Sequence, residues 1–349
     1  MKDTIGVGIA SFGLSGRVFH APLIRHNKKF AIKRIIERSK DDTRMLYPGV
    51  AVSKSFDDLL NDEAIELVVV NTPDQTHFEF ARKVLQAGKH VVVEKPFTQT
   101  VVQGKELIAL ARERGLMLTV FHNRRWDGDF LTVQEIIKKK VLGRLVDFES
   151  HYDRYRYAIQ QDTWKERADA GAGLIYNLGS HMIDQALVLF GMPEAVTAHT
   201  RIVRTQGEVD DWYDIKLHYR DLNVCTKSSY LVRELGPRYI LHGTLGSFIK
   251  HGLDPQEEAL KQGQAPGATD WGKESQEWWG LLNTEVNGTQ RKVIVETRPG
   301  NYDAFYDGVY DCIVHRTNPP VKPEEALNVI RIIEAAKRSN DERRTIPLK

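Results

Sequence analysis

Short β-branched runs alternate with amphipathic segments over the first third of the chain, and this alternation limits the possible folds more than any other feature. Five strands are predicted, at residues 4–10, 31–37, 65–71, 91–93 and 116–121. Helical patterns separate them, and Gly88 and Gly115 stand where two of these helices end. Strands and helices that alternate at this spacing indicate a parallel, doubly wound sheet.

The run 91–96, Val-Val-Val-Glu-Lys-Pro, contains the first candidate for a functional side chain. The valines suit a strand that is buried on both faces, and Pro96 cannot continue a central strand. Lys95 is therefore predicted at the carboxyl end of a parallel strand, which is the edge where open α/β sheets bind ligands. A lysine at a strand end is more often a solvated surface charge, so this run alone leaves both interpretations open.

Composition narrows the class of protein. A chain of 349 residues favours two domains. The 49 basic and 47 acidic side chains give a net charge of +2, which predicts no nucleic-acid or membrane partner. The two cysteines, Cys225 and Cys312, are too few for a disulfide framework and lack metal-ligand spacing, so we expect no metal site. No targeting segment or long apolar run is present, so we expect a cytoplasmic protein.

The turn after the first strand, Ser-Phe-Gly-Leu-Ser-Gly at 11–16, is an incomplete dinucleotide-binding fingerprint. That fingerprint needs glycines for a tight turn, for close approach of the pyrophosphate and for helix–strand packing. Gly13 and Gly16 occupy the second and third positions, but Ser11 replaces the first, at a cost if its φ must be positive. An ordinary glycine-rich turn is the alternative, although the strand at 31–37 follows where a βαβ unit requires one.

The end of the second strand bears on the choice of cofactor. Glu37 can accept hydrogen bonds from an adenosine ribose, and its carboxylate would repel a 2′-phosphate, which favours NAD. Arg38, Ser39 and Lys40 follow at once and offer two positive charges and a hydroxyl to that phosphate. We therefore predict that NADP is preferred and that NAD is possible; a solvated loop is the alternative interpretation.

The pattern changes after about Trp126 to strands that alternate polar and apolar residues, as half-exposed antiparallel strands do. Strands are predicted at 146–152, 195–204, 213–219, 223–230, 238–242 and 247–251, and helices at 130–140 and 323–338. The segment 264–288 is predicted as a surface loop, with an ordered lid as the alternative.

The predicted fold class is α/β: an N-terminal Rossmann domain, 1–122, with a doubly wound parallel sheet, and a C-terminal α/β domain, 123–349. The second domain is expected to contain a large open, mostly antiparallel sheet, and its helix 323–338 is a candidate to pack back on the first domain.

A second polar constellation lies in the glycine-rich segment 171–184. If a helix there runs to Phe190, then Asn177, His181 and Asp184 share one of its faces. Such a stripe does not suit a purely apolar contact. A buried histidine with satisfied hydrogen bonds remains an equally weighted alternative.

These residues together carry a resemblance. Glu94-Lys95-Pro96 after a nucleotide-type half, followed by a glycine-rich helix entry and His181, resembles the Gfo/Idh/MocA oxidoreductase family over nearly the whole chain. Segments 122–127, 154–156, 178–185, 189–193 and 329–336 are most similar to its NADP-dependent scyllo-inositol dehydrogenases. The resemblance implies catalytic Lys95 and His181, a polyol or sugar substrate, and homodimers or homotetramers built on the open sheet. The chain departs from the family pattern at Ser11 and at Asn177, where the family usually has Asp.

The chemistry of such a reaction also follows from the residue types. Oxidising a secondary alcohol moves a hydride to a nicotinamide and a proton to a base. Lysine ordinarily has a pKa of about 10.4, and burial beside a positively charged nicotinamide would lower it. Lys95 is thus predicted to take the proton, while His181 shares it or binds the hydroxyl. Asn177 can hydrogen-bond a substrate hydroxyl but cannot titrate.

The predicted site falls into two groups of residues. The cofactor-binding group is Ser11, Phe12, Gly13, Leu14, Gly16, Glu37, Arg38, Ser39, Lys40, Thr72, Pro73, His77, Glu94, Lys95, Pro96, Arg124 and Trp126; the resemblance implies the cofactor role of Glu94, Pro96, Arg124 and Trp126. The substrate group is Lys95, His122, Tyr152, Tyr155, Arg156, Asn177 and His181. Two other functions stay open: an NAD-dependent glycosidase of the same fold, and a non-catalytic sugar or nucleotide sensor.

Overall fold

The first sheet consists of short, mostly aliphatic strands with their side chains buried. In the computed structural model, which describes residues 4–38, 42–160, 163, 166–168 and 171–348, these strands are β1 Ile5–Ile9, β2 Phe30–Ile36, β3 Ala51–Ser53, β4 Leu67–Val70, β5 His90–Val93 and β6 Leu118–Val120. All are parallel, in the order β3-β2-β1-β4-β5-β6. The order reverses between β1 and β4, which makes that edge the switch point where such sheets bind ligands. The predicted doubly wound parallel sheet is confirmed.

Strand β3 was absent from the prediction of five strands. It has three residues, all at least partly exposed, so it lacks the apolar run that identifies the other five. It pairs only with the outer part of β2.

Helices lie between consecutive strands of this sheet along the chain. They are α1 Ala21–His26, α2 Asp42–Leu46, α3 Asp57–Leu60, α4 His77–Gln86 and α5 Val101–Arg114. A π-helical segment, Gly16–His20, runs directly into α1. Helix α5 begins where the Thr100 side chain accepts a hydrogen bond from the Gln103 amide, and it ends at Gly115 with φ of 64°. These are ordinary start and stop signals, so α5 was predictable from sequence.

Packing divides the chain into two units. The first comprises 1–123, 256–271 and 301–327, and the second comprises 124–255, 272–300 and 328–349. The first unit thus also contains helix α8 Gln256–Lys261 and helix α9 Asp303–His315. All of 123–349 was predicted to form one domain, whereas packing places the segments 256–271 and 301–327 in the first unit. Helix α9 belongs there because its Tyr306 ring packs on Phe30 of β2.

The second unit contains a nine-stranded sheet. Its strands are β7 Leu145–His151, β8 Ala195–Arg201, β9 Trp212–His218, β10 Asn223–Ser229, β11 Tyr239–Gly243, β12 Gly246–Lys250, β13 Gly280–Val286, β14 Thr289–Val295 and β15 Ile346–Pro347. The order is β14-β13-β12-β11-β7-β10-β9-β8-β15, and every pair is antiparallel except β7 with β10. The predicted large, mostly antiparallel sheet is confirmed.

The prediction of a loop over 264–288 is wrong for its last part, because β13 begins at Gly280 and continues into the β13–β14 hairpin. The turn residues Asn287 and Gly288 have φ of 51° and 75°. An Asn-Gly pair with positive φ at both positions is the preferred two-residue hairpin turn. That signal was present in the sequence, but the polar character of the flanking residues concealed the strands.

The remaining helices are α6 Gly128–Lys138, α7 Ser180–Phe190, which follows a π-helical segment at Ile175–Gly179, and α10 Pro323–Glu342. Across the described ranges, no helix is both long and apolar enough to cross a membrane.

The start of the α7 region depends on one half-buried carboxyl group. The Asp210 Oδ2 atom accepts the Ile175 amide at 2.8 Å, and the Asp210 carbonyl accepts the Leu174 amide at 2.7 Å. Gly173, with φ of 102°, allows this approach, since a Cβ atom there would lie 2.2 Å from Asp210 Oδ1. Burial raises the pKa of Asp210 to about 6, although the backbone hydrogen bonds and Lys337 oppose the shift.

We expect Asp210→Asn to change how stability depends on pH. A carboxyl group whose pKa is raised by folding stabilises the folded state most below pH 4, and this contribution is lost as pH rises through 6. Between pH 4 and pH 7 the free energy of unfolding of the wild type should therefore fall by about 1–3 kcal/mol relative to the variant. Denaturant titrations of both proteins at the two pH values measure this, and equal pH dependence would contradict it.

Candidate functional site

The turn after β1 is closed without a glycine at its first position. Ser11 is not among the described residues with positive φ, and its Oγ atom accepts the Gly13 amide at 3.3 Å. Its carbonyl accepts the side-chain amide of Asn71 at 2.8 Å. A Cβ atom at Gly16 would lie 2.2 Å from the Ser11 carbonyl oxygen and 2.8 Å from Asn71 Nδ2. Ser11 therefore costs no backbone strain, whereas Gly16 is required by close packing.

The same turn leaves room at Gly13, the second position of the fingerprint. A Cβ atom at Gly13 would meet only Ser11 Oγ, at 3.6 Å. Phe12 is buried against Tyr47, with ring centroids 5.8 Å apart, while Leu14 is 53% exposed. The turn leads into a helical segment at the switch point of a parallel sheet, where backbone N–H groups favour phosphate. The residues present thus fit a dinucleotide, with Gly13 open for the pyrophosphate.

Glu37 is buried, and its carboxylate is engaged by the next helix. Its two oxygens accept the amides of Asp42 at 3.1 Å and Thr43 at 3.0 Å, at the first turn of α2. This carboxylate therefore serves as a helix cap, as anions do at helix N-termini. Arg38 is exposed. Ser39 and Lys40, the other predicted phosphate ligands, lie outside the described residues.

The carboxyl end of β5 presents Lys95 beside a buried carboxylate. Lys95 is half-buried, and its backbone N–H donates to Glu94 Oε2 at 2.9 Å. The other carboxylate oxygen, Oε1, lies 3.0 Å from His20 Nε2. Although burial works to raise the pKa of Glu94, the hydrogen bond from His20 and the electrostatic effects of His20, Lys95 and His77 hold it below its usual value. Glu94 is thus a fixed negative charge next to Lys95.

His20 is a site residue that the sequence analysis missed. It is fully buried at the end of the π-helical segment, with its ring centroid 4.3 Å from that of Phe121. Its Nδ1 atom lies 2.7 Å from the hydroxyl of Tyr306, which helix α9 supplies. No local pattern pairs His20 with Glu94 and Tyr306, because the three are far apart in the sequence.

His77 joins the ends of two neighbouring strands. Its Nδ1 atom lies 2.8 Å from the Pro96 carbonyl, and its Nε2 atom lies 2.9 Å from the Thr72 carbonyl. Burial lowers the pKa of His77, and a neutral ring can donate to only one of these two carbonyls. The Thr76 hydroxyl donates to the Pro73 carbonyl at 2.6 Å and completes this turn. The structure gives His77 a role in shaping the strand ends, and its predicted contact with a cofactor stays a prediction.

The second unit places the other predicted catalytic residues around the start of α7. Asn177 lies in the π-helical segment, and its side-chain amide donates to the Tyr230 hydroxyl at 3.3 Å. His181 is buried in the first turn of α7. Asp184 forms a bidentate pair with Arg125, at 2.7 and 2.8 Å. The predicted stripe therefore divides, since Asp184 is an ion-pair partner and the other two remain candidates for the substrate.

Aromatic and guanidinium groups surround this region of the second unit. The buried Tyr152 ring lies about 5 Å from the guanidinium groups of Arg124, Arg154 and Arg238. Arg124 also pairs with Asp127 at 3.2 Å, so the resemblance-based cofactor role of Arg124 would have to coexist with a structural ion pair.

Tyr230 is the other residue that sequence reasoning missed. Its hydroxyl accepts from Asn177, and its ring faces the guanidinium groups of Arg156 at 5.7 Å and Arg204 at 5.0 Å. Tyr230 thereby brings Arg156 and Asn177, two predicted substrate residues, to one point. Tyr155 is 46% exposed and instead stacks with Arg233.

Two predicted residues lie close in sequence to the boundary between Asn123 and Arg124, where the chain passes from the first unit to the second. His122 is buried just after β6 in the first unit. Trp126 is half-buried at the end of the 3₁₀ turn Asn123–Trp126 and belongs to the second unit. Their roles toward substrate and cofactor stay predictions.

Substituting the two glycines of the β1 turn should separate folding from binding. Gly16→Ala is expected to lower the free energy of unfolding by about 1–3 kcal/mol, because its Cβ atom meets backbone. Gly13→Ala is expected to leave stability unchanged but to weaken binding of the nicotinamide dinucleotide at least about tenfold, because the methyl group occupies the open approach. Thermal unfolding and fluorescence titration measure the two effects. Unaltered cofactor binding by Gly13→Ala would contradict the assignment of this turn.

Known proteins are similar to this chain in sequence and in fold. Residues 5–122 match the profile described as "Oxidoreductase family, NAD-binding Rossmann fold", and residues 134–348 match "Oxidoreductase family, C-terminal alpha/beta domain". The scyllo-inositol 2-dehydrogenase (NADP(+)) IolW of Bacillus subtilis is 42% identical, over 99% of this chain and 96% of that protein. The uncharacterized oxidoreductase YdgJ of Escherichia coli is 40% identical over the full length of both chains.

Solved structures agree with these sequence relatives. A crystal structure of a protein from Bacteroides fragilis described as an oxidoreductase has a TM-score of 0.91 at 49% identity, covering 99% of this chain and 100% of that one. A Bacillus cereus oxidoreductase also has a TM-score of 0.91, at 38% identity over 99% of each chain. The chain belongs to the Gfo/Idh/MocA family of oxidoreductases and is a dehydrogenase acting on CH–OH groups.

Proposed function

We propose that this protein oxidises a secondary alcohol of a cyclic polyol or sugar similar to scyllo-inositol, with NADP as the cofactor. The observation that carries the proposal is the end of β5, where the Lys95 backbone is held by the buried Glu94 carboxylate at 2.9 Å. The switch point between β1 and β4, with Gly13 open at the turn, supports a dinucleotide. The 42% identity to a scyllo-inositol 2-dehydrogenase supports the substrate class.

The proposed chemistry assigns the proton to Lys95. A bound oxidised nicotinamide would supply the acceptor for the hydride. Lys95 Nζ, deprotonated, takes the proton of the hydroxyl as the carbonyl product forms. His181 is the proposed partner in binding that hydroxyl or sharing its proton. Asn177 donates to the Tyr230 hydroxyl, and its amide is the proposed hydrogen-bond partner of a neighbouring substrate hydroxyl.

The substrate class is supported by the side chains near Asn177. Tyr230 and Arg156 present a phenol and a guanidinium group together, at a ring-to-guanidinium distance of 5.7 Å. A polyol ring has hydroxyls around its rim and an apolar face, so convergent donors beside an aromatic ring suit it. Asn177 is also the observation that favours a non-catalytic sugar sensor, because an amide cannot replace a carboxylate in proton transfer.

Turnover with a substrate panel tests the function, and Lys95→Ala tests the mechanism. We expect the wild type to reduce NADP with at least one inositol or aldose. Lys95→Ala should lower kcat by at least about 100-fold, because a general base contributes on that order, with cofactor affinity within about twofold. Lys83→Ala, which removes an exposed lysine of α4, is the matched control. Absence of turnover with every inositol and aldose would refute the proposed substrate class, and a Lys95→Ala rate above a few per cent would refute the role of Lys95.

The preference for NADP over NAD is a separate prediction. The Glu37 carboxylate already caps α2 through two backbone amides, so the charge that opposes a 2′-phosphate is partly compensated. Charge-assisted hydrogen bonds from Arg38 and Lys40 would each contribute roughly 1.5–3 kcal/mol when well formed.

We expect the double variant Arg38→Ala with Lys40→Ala to lose its preference. Its kcat/KM for NADP should fall at least about tenfold while the value for NAD changes little, since only NADP carries the 2′-phosphate. Lys105→Ala, an exposed charge on α5, is the control. A wild-type ratio that favours NAD, or one that the double variant leaves untouched, would contradict the prediction. The homodimer or homotetramer and the cytoplasmic location expected from the sequence also stay predictions.

A further inference from the structure

A chain of three buried side chains leads to the backbone of Lys95. The Tyr306 hydroxyl lies 2.7 Å from His20 Nδ1, His20 Nε2 lies 3.0 Å from Glu94 Oε1, and Glu94 Oε2 lies 2.9 Å from the Lys95 amide nitrogen. Tyr306 and His20 are fully buried, and Glu94 is 8% exposed. The three come from helix α9, the π-helical segment before α1, and the end of β5. All belong to the first unit.

The direction of every hydrogen bond in this chain follows from the donors present. The Lys95 backbone nitrogen is a donor, and an ionised carboxylate only accepts, so His20 must donate from Nε2. A neutral His20 then has a lone pair on Nδ1, which the Tyr306 hydroxyl fills by donating. Each polar atom of the chain is thereby satisfied with one neutral histidine and one negative charge.

We propose that Tyr306 and His20 are positioning residues for Lys95, acting through Glu94 to fix the backbone from which the lysine side chain projects. Neither is expected to touch the substrate. The inference rests on the proposed function, because it assigns a purpose to the geometry around the proton-transfer residue. A rigid backbone at Lys95 matters because a misplacement of about 1 Å in a reacting group can cost on the order of 100-fold in rate.

The surroundings of Glu94 show why a hydrogen-bonded chain is needed. The titratable groups that act on it are His20, Lys95, His77 and Tyr306. A carboxylate taken out of water is stable only if its oxygens are hydrogen-bonded and its charge is compensated. Without His20 one oxygen would lose its side-chain donor, and the carboxylate would no longer be held toward the Lys95 amide.

Helix α9 offers a matched pair of variants. Tyr306→Phe removes the hydroxyl that begins the hydrogen-bonded chain to Lys95 and retains the ring that packs on Phe30 and Phe121. Tyr310→Phe removes a hydroxyl one helical turn later, from a ring that also packs on Phe30. We expect Tyr306→Phe to lower kcat about 3–10-fold and His20→Leu about 100-fold, by analogy with supporting-residue and misplacement costs. His20→Gln, which keeps a donor toward Glu94, should fall between them. Tyr310→Phe should match the wild type, and the dissociation constant for NADP should stay within about twofold throughout.

A pH profile separates positioning from general damage. Glu94→Gln removes the negative charge beside Lys95, which favours loss of the lysine proton, so the acid side of its kcat/KM profile should move to lower pH. A variant that is merely less well folded loses rate without that shift. Equal effects of Tyr306→Phe and Tyr310→Phe, or an unmoved profile in Glu94→Gln, would overturn the proposal.

Nitrogen NMR of His20 tests the chain apart from turnover. At pH 7 we expect Nε2 to carry the proton and Nδ1 to be an acceptor, and the Nδ1 shift to change in Tyr306→Phe but not in Tyr310→Phe. An Nδ1-protonated or doubly protonated ring would overturn the chain whatever the activity. If the wild type shows the expected His20 tautomer but oxidises no polyol or sugar, the proposed function is refuted and the hydrogen-bonded chain from Tyr306 to Lys95 still stands.

Discussion

The buried negative charge of Glu94 is the constraint on which the candidate site of the first unit depends. A carboxylate at the end of a central strand would be costly unless each oxygen found a donor. One donor is the next residue's own amide, and the other is His20. Because His20 ends the helical segment that begins at Gly16, the same stretch of chain serves both the cofactor turn and the lysine strand. The proposed dinucleotide site and the proposed proton-transfer residue are thus parts of one packing arrangement.

The departure of Ser11 from the usual fingerprint is accommodated locally. Ser11 replaces a glycine, and its hydroxyl accepts the Gly13 amide, so the turn gains a hydrogen bond that a glycine could not make. Glu37 is the acid that the fingerprint expects, but it uses both carboxylate oxygens to hold α2. Neither arrangement can be read from residue type alone. Both are explained once the neighbouring backbone amides are located.

Much of this architecture was predictable because its signals are local. The valines of β5, the proline after Lys95 and the caps of α5 act within a few residues of one another, and the structure bears out the strand and helix that they predict. The His20–Tyr306 and Asn177–Tyr230 contacts join residues distant in sequence, so no local pattern could reveal them. Strand β3 was missed because three partly exposed residues carry too little hydrophobic signal. Strand β14 was missed because it is exposed along almost its whole length.

Wider turns precede both histidines of the candidate site: His20 closes one π-helical segment, and His181 follows another by two residues. A π turn takes up more residues than an α turn, so it changes the rotational phase of everything after it. With ordinary α-helical pitch, where each residue advances about 100° around the axis, the same residues would present different side chains to a given direction. A one-residue gap at either π-helical turn would change which side chains surround the histidine while leaving the sequence motif intact. Sequence alignments within the family therefore have to be checked against the rotational phase of these helices.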